Sequence, residues 1–314
     1  MRPRPADGSL RDEVLAGLCK PHKELPSKLF YDARGSRLFE QITQLDEYYP
    51  TRTELGILRT HGADMAQLLG PACLLIEYGS GSGQKTRVLL DQLVDPVAYV
   101  PIDISREMLQ ASSAELSAAY PGLEVLPVWA DYTQAVDLPL PRRAARRRVV
   151  FFPGSTIGNF DPEPARVFLS RVAEVCGRGG GLLIGVDLKK DPSILHRAYN
   201  DAQGVTAAFN LNLLERLNRE LGADFQLDRF YHYAYYNPVI GRVEMHLVSA
   251  VDQQVHIGGV VVRFTVGDSI WTESSYKFNP DEFAALGAAA GWQVERVWTD
   301  PDRLFSVQYL TVTE

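Results

Sequence analysis

Short apolar runs bounded by turn residues punctuate the middle of the chain, at Cys73–Ile76, Ala98–Ile102, Leu123–Trp129, Arg148–Pro153 and Leu182–Val186. Continuous rather than alternating apolarity is the mark of strands buried on both faces. Between these runs the apolar residues recur at helical spacing, over Lys85–Leu93, Arg106–Ala119 and Pro162–Cys176. Strand and helix in strict alternation predict a parallel sheet covered by helices on both sides. Ser105 before Arg106, and Asp161-Pro162-Glu163, read as helix starts with a capping side chain and, in the second, proline at the first helical position.

The rhythm changes beyond residue 190. Residues 193–221 read as helical, with Phe209, Leu213, Leu214 and Leu217 on one face. Three strand-like runs follow, near 242–251, 254–266 and 270–278, separated by Gly and Asp as in an antiparallel meander. A helix over Pro280–Ala290 and strands over Gln293–Trp298 and Phe305–Thr313 return to the first style. Before residue 60 short helical patterns alternate with turns, and residues 1–10 read as frayed. The expected organisation is an α/β domain made of 61–198 and 279–314, and a smaller α+β domain made of 1–60 and 199–278.

Composition narrows the function. Apolar residues make up 46% and charged residues 23%, ordinary for a globular protein with a sizeable core. A net charge of -7 argues against nucleic-acid or anionic-membrane partners, and the basic run Arg142–Arg148 reads as a solvated loop. No run reaches the roughly 18 apolar residues of a membrane span, and Met1–Gly8 lacks the apolar stretch of a secretory signal. Cys19, Cys73 and Cys176 are too few and odd in number for a disulfide framework, so a reducing, cytoplasmic location is expected, with Cys73 and Cys176 in the core. The six histidines show no metal-ligand spacing.

The strongest chemical signal is Glu77-Tyr78-Gly79-Ser80-Gly81-Ser82-Gly83, directly after Leu74-Leu75-Ile76. Glycines there allow a tight turn and close approach of a ligand to the backbone. Asp103 ends the next strand about 20 residues on, where a carboxylate can hold ribose hydroxyls. Asp131-Tyr132 follow the third strand, where an adenine ring could be held. A bare βα turn with two helix caps would show the same residues. The spacing is neither the Gly-x-Gly-x-x-Gly of dinucleotide sites nor a phosphate loop. It resembles the acidic-Gly-x-Gly-x-Gly loop of class I, Rossmann-like S-adenosylmethionine (SAM) methyltransferases, whose sheets end, as this chain would at Phe305–Thr313, in a reversed last strand.

A second loop, Phe152-Pro153-Gly154-Ser155-Thr156-Ile157-Gly158-Asn159, follows the fourth strand at the ligand-binding end of such a sheet. The Asn159 carboxamide can accept from an amine and donate to a carboxylate; on chemistry alone, a glycine-rich turn capped by Asn159 stands level with that reading. Further motifs, Glu47-Tyr48-Tyr49-Pro50-Thr51-Arg52-Thr53-Glu54, Asp187-Leu188-Lys189-Lys190-Asp191-Pro192, Tyr199-Asn200-Asp201, Gly204–Asn210 and Thr272–Phe278, occur in one order within a resemblance that covers residues 24–312. In these the chain resembles the L-histidine Nα-methyltransferases of ergothioneine biosynthesis. The resemblance implies trimethylation of histidine to hercynine, with SAM converted to S-adenosylhomocysteine. It implies that Tyr49, Gly154, Asn159 and Tyr199 hold the amino-acid backbone, Tyr49 and Asn159 closest to the chemistry, and that Tyr31 and Phe39 line the same chamber. Glu273 and Ser275 would read the imidazole with Met245 beside it, and Glu77, Gly79, Gly81, Gly83, Lys85, Asp103, Asp131 and Tyr132 would serve the cofactor. Tyr132 stands where many relatives carry Phe. Without the resemblance, Glu273 would be an exposed strand residue and the tyrosines structural. A monomer acting on a small molecule is expected. Two other readings stay open: a methyltransferase for tryptophan or a modified histidine, and a non-catalytic SAM-binding regulator.

Overall fold

A computed structural model describes residues 7–313, with side chains from Leu10. In chain order the elements are α1 (Asp7–Leu18), β1 (Lys23–Glu24), α2 (Ala33–Thr43), α3 (Tyr49–Leu69), β2 (Cys73–Tyr78), α4 (Gln84–Leu90), β3 (Ala98–Asp103) and α5 (Arg106–Ala119). Then come β4 (Glu124–Val125), β5 (Val128–Trp129), β6 (Arg147–Phe152), α6 (Pro162–Cys176), β7 (Gly181–Asp187), α7 (Pro192–Tyr199), α8 (Val205–Leu221), β8 (Phe230–Asn237) and β9 (Arg242–Ser249). The chain closes with β10 (Gln253–Ile257), β11 (Val260–Phe264), β12 (Ser269–Tyr276), α9 (Pro280–Ala288), β13 (Trp292–Thr299) and β14 (Phe305–Val312). These form two compact units, one of residues up to Tyr48 with Asp191–Ser274, the other of Tyr49–Lys190 with Ser275–Glu314.

The larger unit is built on a sheet of order β13-β14-β7-β6-β2-β3-β4, with β5 continuing beside β3. Parallel pairing joins β4, β3, β2, β6 and β7, while β14 runs antiparallel to both β7 and β13. This is the class I methyltransferase sheet with its reversed last strand. Every residue of β2, β3 and β7 is buried, because both faces are covered. Alternation divides the strands between two cores. Leu74, Ile76 and Val150 pack with Phe168 and Leu169 of α6, while Cys73, Leu75 and Val149 pack with Leu58 and Met65 of α3. Cys73 and Cys176 are buried free thiols.

In the smaller unit β1, β12, β9 and β8 form a second sheet in that order. The β8/β9 register places Ala234 opposite Met245 and His232 opposite Leu247. The Asn210 carboxamide of α8 meets His232 Nδ1 at 2.9 Å, so the face holding His232, Ala234, Met245 and Leu247 looks toward α8.

Several expectations are corrected. Asp7–Leu10 belong to α1 rather than a frayed end, while residues 1–6, with most of the stretch read as no secretory signal, lie outside the described residues. The third strand is split around Pro127, which has no N–H to give a ladder. The helix expected over 193–221 breaks between Tyr199 and Val205, where the Asp201 carboxylate accepts the Val205 and Thr206 N–H groups and starts α8. The run 254–266 does not join a meander. It folds on itself at Gly258 and Gly259, both at positive φ, into the separate hairpin β10/β11. Strand β8 had no counterpart in the sequence reading. Ser105 and Asp161 stand at the helix starts as expected, but neither side chain caps its helix; Asp161 accepts from Tyr276 Oη at 2.8 Å instead. Among the described residues no helix is long and apolar enough to cross a membrane, and no cluster of His, Cys, Asp or Glu could hold a metal ion.

Candidate functional site

Sheet order reverses direction at β2, which has β3 on one side and β6 on the other. Ligands of open α/β sheets bind at the carboxyl ends beside such a reversal. Both glycine-bearing loops emerge there, one after β2 and one after β6.

In the first loop Gly79, Gly81 and Gly83 all have positive φ (73°, 49° and 70°), a conformation that favours glycine. The Gly81 N–H donates to Asp103 Oδ2 at 3.1 Å, and the Ser105 N–H to Oδ1 at 2.8 Å. Asp103 is thereby tied to the loop, with burial raising its pKa against the help of these N–H donors. Tyr132 packs on Tyr78, Phe152 and Phe168 with centroids 5.7 to 6.1 Å apart, and its ring edge lies 3.7 Å from where a Cβ on Gly79 would stand. Asp131 Oδ1 accepts the Thr133 N–H and hydroxyl at 2.9 and 2.6 Å, a local turn that presents Tyr132. The Ser80 hydroxyl is buried with no hydrogen-bond partner among the described residues, which a ligand in the loop would remedy. Lys85, in the first turn of the helix after the loop, supplies a cation suited to one carboxylate. These features fit SAM.

Glu77 is placed differently from expectation. Its carboxylate is 1% exposed and accepts from Thr86 Oγ1 at 2.6 Å and from Tyr99 Oη. Burial pushes its pKa up to about 8, despite the two hydroxyl donors. The group fastens α4 and β3 to β2 behind the loop.

The second loop opens on two consecutive left-handed residues, Gly154 (φ 82°) and Ser155 (φ 57°). For Ser155 this is strained backbone of the kind that collects at functional sites, held by the Asp187 N–H donating to Ser155 Oγ at 2.9 Å. A 3-10 turn over Thr156–Asn159 follows, with Gly158 so close to Tyr276 that a Cβ would stand 2.7 Å from its carbonyl oxygen. Half-buried Asn159 ends the turn, its carboxamide making no hydrogen bond among the described residues. The Gly154 N–H does not point outward; it donates to both oxygens of Glu54, at 2.8 and 3.1 Å.

Tyr49 likewise turns inward. Its hydroxyl is 2.8 and 2.7 Å from the two oxygens of Asp187 and accepts from Lys190 Nζ at 2.7 Å. Asp187 is fully buried between Lys190, at 2.5 Å, and Lys277, at 2.8 Å. Burial alone would raise its pKa, but the two ammoniums outweigh it and hold the carboxyl below its usual range; Lys190 is driven down to about 8, mainly by burial. Lys277 Nζ also donates to Ser275 Oγ at 2.8 Å. One carboxylate thus anchors Tyr49 directly and Ser275 through one lysine.

The smaller unit gathers Tyr31, Phe39, Tyr48 and Tyr199 into an aromatic chain. Successive centroids are 5.8, 6.3 and 6.5 Å apart, with Phe209 6.0 Å from both Tyr31 and Phe39. Thr206, one turn before Phe209 on α8, has a buried hydroxyl with no partner among the described residues. Met245 is 2% exposed on the α8 side, and its carbonyl accepts from Thr272 Oγ1, which also donates to Asn210. Glu273 is half-buried on β12, its carbonyl accepting from Trp271 Nε1. Sequence reasoning missed Tyr48, Phe209, Thr206 and Glu54. All four lie in motifs given above, Tyr48 and Glu54 in Glu47–Glu54 and Thr206 and Phe209 in Gly204–Asn210, but only helix register shows that Tyr48 precedes α3 while Tyr49 is carried into it.

Residues 10–312 match the profile of a family described as "Histidine-specific methyltransferase, SAM-dependent". The chain is 46% identical to the histidine N-alpha-methyltransferase of Mycolicibacterium smegmatis, over 93% of this chain and 92% of that protein. It is 44% identical to the protein of the same name from Mycobacterium tuberculosis, over 93% of this chain and 91% of that one. It is also 32% identical to ergothioneine biosynthesis protein 1 of Neurospora crassa, over 88% of this chain but only 32% of that longer protein.

Proposed function

Since the chain belongs to the histidine-specific, SAM-dependent methyltransferase family, we propose that it methylates the α-amino nitrogen of L-histidine, three times in succession, to give hercynine for ergothioneine biosynthesis. The observation that carries this reading is the near-full-length similarity to two histidine N-alpha-methyltransferases. The fit of the glycine loop to SAM supports it independently.

Gly79, Gly81, Gly83, Lys85, Asp103, Asp131 and Tyr132 would hold the cofactor, Lys85 serving its carboxylate, Asp103 its ribose and Tyr132 its adenine. When bound, SAM supplies an electrophilic methyl carbon on a sulfonium. The chain's task is to present a neutral amine in line with the carbon–sulfur bond, and positioning of this kind can supply much of the rate. Asn159 accepts from the amine and keeps its lone pair directed, while Gly154, Tyr49 and Tyr199 shape the grip on the amino-acid backbone. The structure turns the Gly154 N–H and the Tyr49 hydroxyl inward, so in this reading both act by shaping the loop and wall rather than by donating to substrate. Glu273 accepts from the imidazole N–H and Ser275 addresses the other ring nitrogen, with Met245, Tyr31 and Phe39 lining the chamber. A site with such polar groups rejects a phenyl or indole, which would leave them unpaired.

No dedicated base is assigned. Burial and a nearby sulfonium charge both lower the pKa of an ammonium, so the amine loses its proton to solvent before transfer. Each methyl removes a donor and adds bulk, so the hold on the carboxylate and ring must persist through all three steps. The protein works on a free amino acid as a monomer, in the cytoplasm, the location being supported by its few free cysteines; its acidic charge speaks against a nucleic-acid partner.

Incubation with methyl-labelled SAM and each of the twenty amino acids tests the proposal. Labelled mono-, di- and trimethylhistidine are expected. Label on tryptophan instead would establish the other substrate class, and tight SAM binding without transfer would make the protein a regulator.

A further inference from the structure

One carboxylate joins the two loops of the larger unit, and no motif reading gave it a task. Glu54 of α3 is 0% exposed. Its oxygens accept the Gly154 N–H, and Oε2 lies 2.6 Å from Lys85 Nζ. Lys85 belongs to the first turn of α4, directly after the cofactor loop; Gly154 begins the loop that carries Asn159. A neighbouring strand makes room for this carboxylate. A Cβ on Gly185 of β7 would stand 2.1 Å from Glu54 Oε1 and 3.1 Å from the Gly154 nitrogen.

Stability does not explain such an arrangement. Taking a carboxylate and an ammonium out of water costs about as much as their attraction returns, and a well-packed apolar pair often serves the fold as well. What an ionic pair adds is direction. A lysine side chain has much rotamer freedom to lose when it is fixed on a ligand. Lys85 has already lost much of it to Glu54, and its side chain, 17% exposed, keeps further donors for a second acceptor.

We infer that Glu54 is a positioning residue that sets Lys85 and the Gly154 loop in one register, so that the cation for the cofactor's carboxylate and the loop presenting Asn159 are pre-arranged together. The inference rests on the methyltransferase reading, for Lys85 needs a carboxylate-bearing cofactor to receive. Glu54 itself touches neither ligand.

Calorimetric dissociation constants for SAM and S-adenosylhomocysteine, measured on the wild type, Glu54→Gln, Lys85→Met and the double variant, test it. The carboxamide can still accept the Gly154 N–H but offers Lys85 no charge. Glu54→Gln is expected to weaken SAM binding about tenfold, the size of one charge-assisted hydrogen bond. The double variant should bind no more weakly than Lys85→Met alone. SAM affinity of Glu54→Gln within twofold of wild type, or losses that add in the double variant, would overturn the inference. If Glu54→Gln does not yield folded protein, Glu54→Asp decides: an affinity between wild type and Lys85→Met supports positioning, whereas wild-type affinity with a lowered melting temperature assigns Glu54 to the fold alone. A wild type that binds no SAM would sink the methyltransferase reading instead, an outcome distinguishable from all of these.

Discussion

Tyr49 Oη lies 2.7 Å from Asp187 Oδ2, donating into a carboxylate that is fully enclosed by protein. The bond spans the start of α3 and the end of β7 and settles where that helix begins. Tyr49→Phe removes the donor, leaves Lys190 short of an acceptor, and keeps the ring in place. A loss of about 1–3 kcal/mol is expected, the usual consequence of stranding buried polar groups, read from urea unfolding midpoints. A variant as stable as wild type would mean that the two lysines alone satisfy Asp187.

Glu77 predicts a pH dependence of folding. Its pKa is raised from 4.5 in the unfolded chain to about 8 in the fold. Between these values the folded protein holds a proton that the unfolded chain has released. The stabilisation from this group is therefore complete below pH 4.5 and lost as pH rises through about 8. Glu77→Gln, which cannot ionise, should show a shallower fall in melting temperature over that window. Parallel curves for the two proteins would place the titration elsewhere.

Gly185→Ala places a methyl against the Glu54 carboxylate and the Gly154 backbone. The backbone nitrogen cannot withdraw without moving the loop. A destabilisation of about 1–3 kcal/mol is expected, as for overpacked cores. Because the methyl displaces Glu54, weaker SAM binding should accompany it. Unchanged unfolding would show that β7 yields at this point.

Asn159 offers the opposite profile. Its carboxamide supports nothing else among the described residues, so Asn159→Ala should alter stability by no more than about 0.5 kcal/mol. The specificity constant for histidine should fall on the order of 100-fold while SAM affinity holds, the pattern of a lost substrate-orienting group. Glu273→Ala should act on choice, narrowing the preference for histidine over other amino acids. Undiminished turnover by Asn159→Ala would remove that residue from the reaction.

The parallel sheet was legible because its strands are apolar throughout, and its helices because their apolar stripes are regular. Strand β8 was not: Tyr231, Tyr233 and Tyr235 alternate with His232, Ala234 and Tyr236, so aromatics fall on both phases and hide the period of two. The glycine loop, Asp103 and the Asn159 loop could be read locally, since each is a contiguous turn at a strand end. The inward bonds of Tyr49, Gly154 and Glu77 could not. They depend on which strands and helices become neighbours, and sheet order is not written in any one segment. Glu54 stands for the whole class, since its two polar partners and the glycine that makes room for it come from the loop after β6, from α4 and from β7.

The reversed strand has a consequence for how the protein is made. Residues 305–312 wedge between β7 and β13, so the flank of β7 lies bare until a stretch synthesised much later arrives to cover it. Lys23 and Glu24 likewise await Ile270 and Trp271. During translation the nascent chain therefore carries an open, apolar strand margin from the completion of β7 until residues 305–312 are made. Pairings so remote in sequence are slow to form and invite association between chains. Yield from the ribosome, and its dependence on chaperones and growth temperature, is where that delay should be felt.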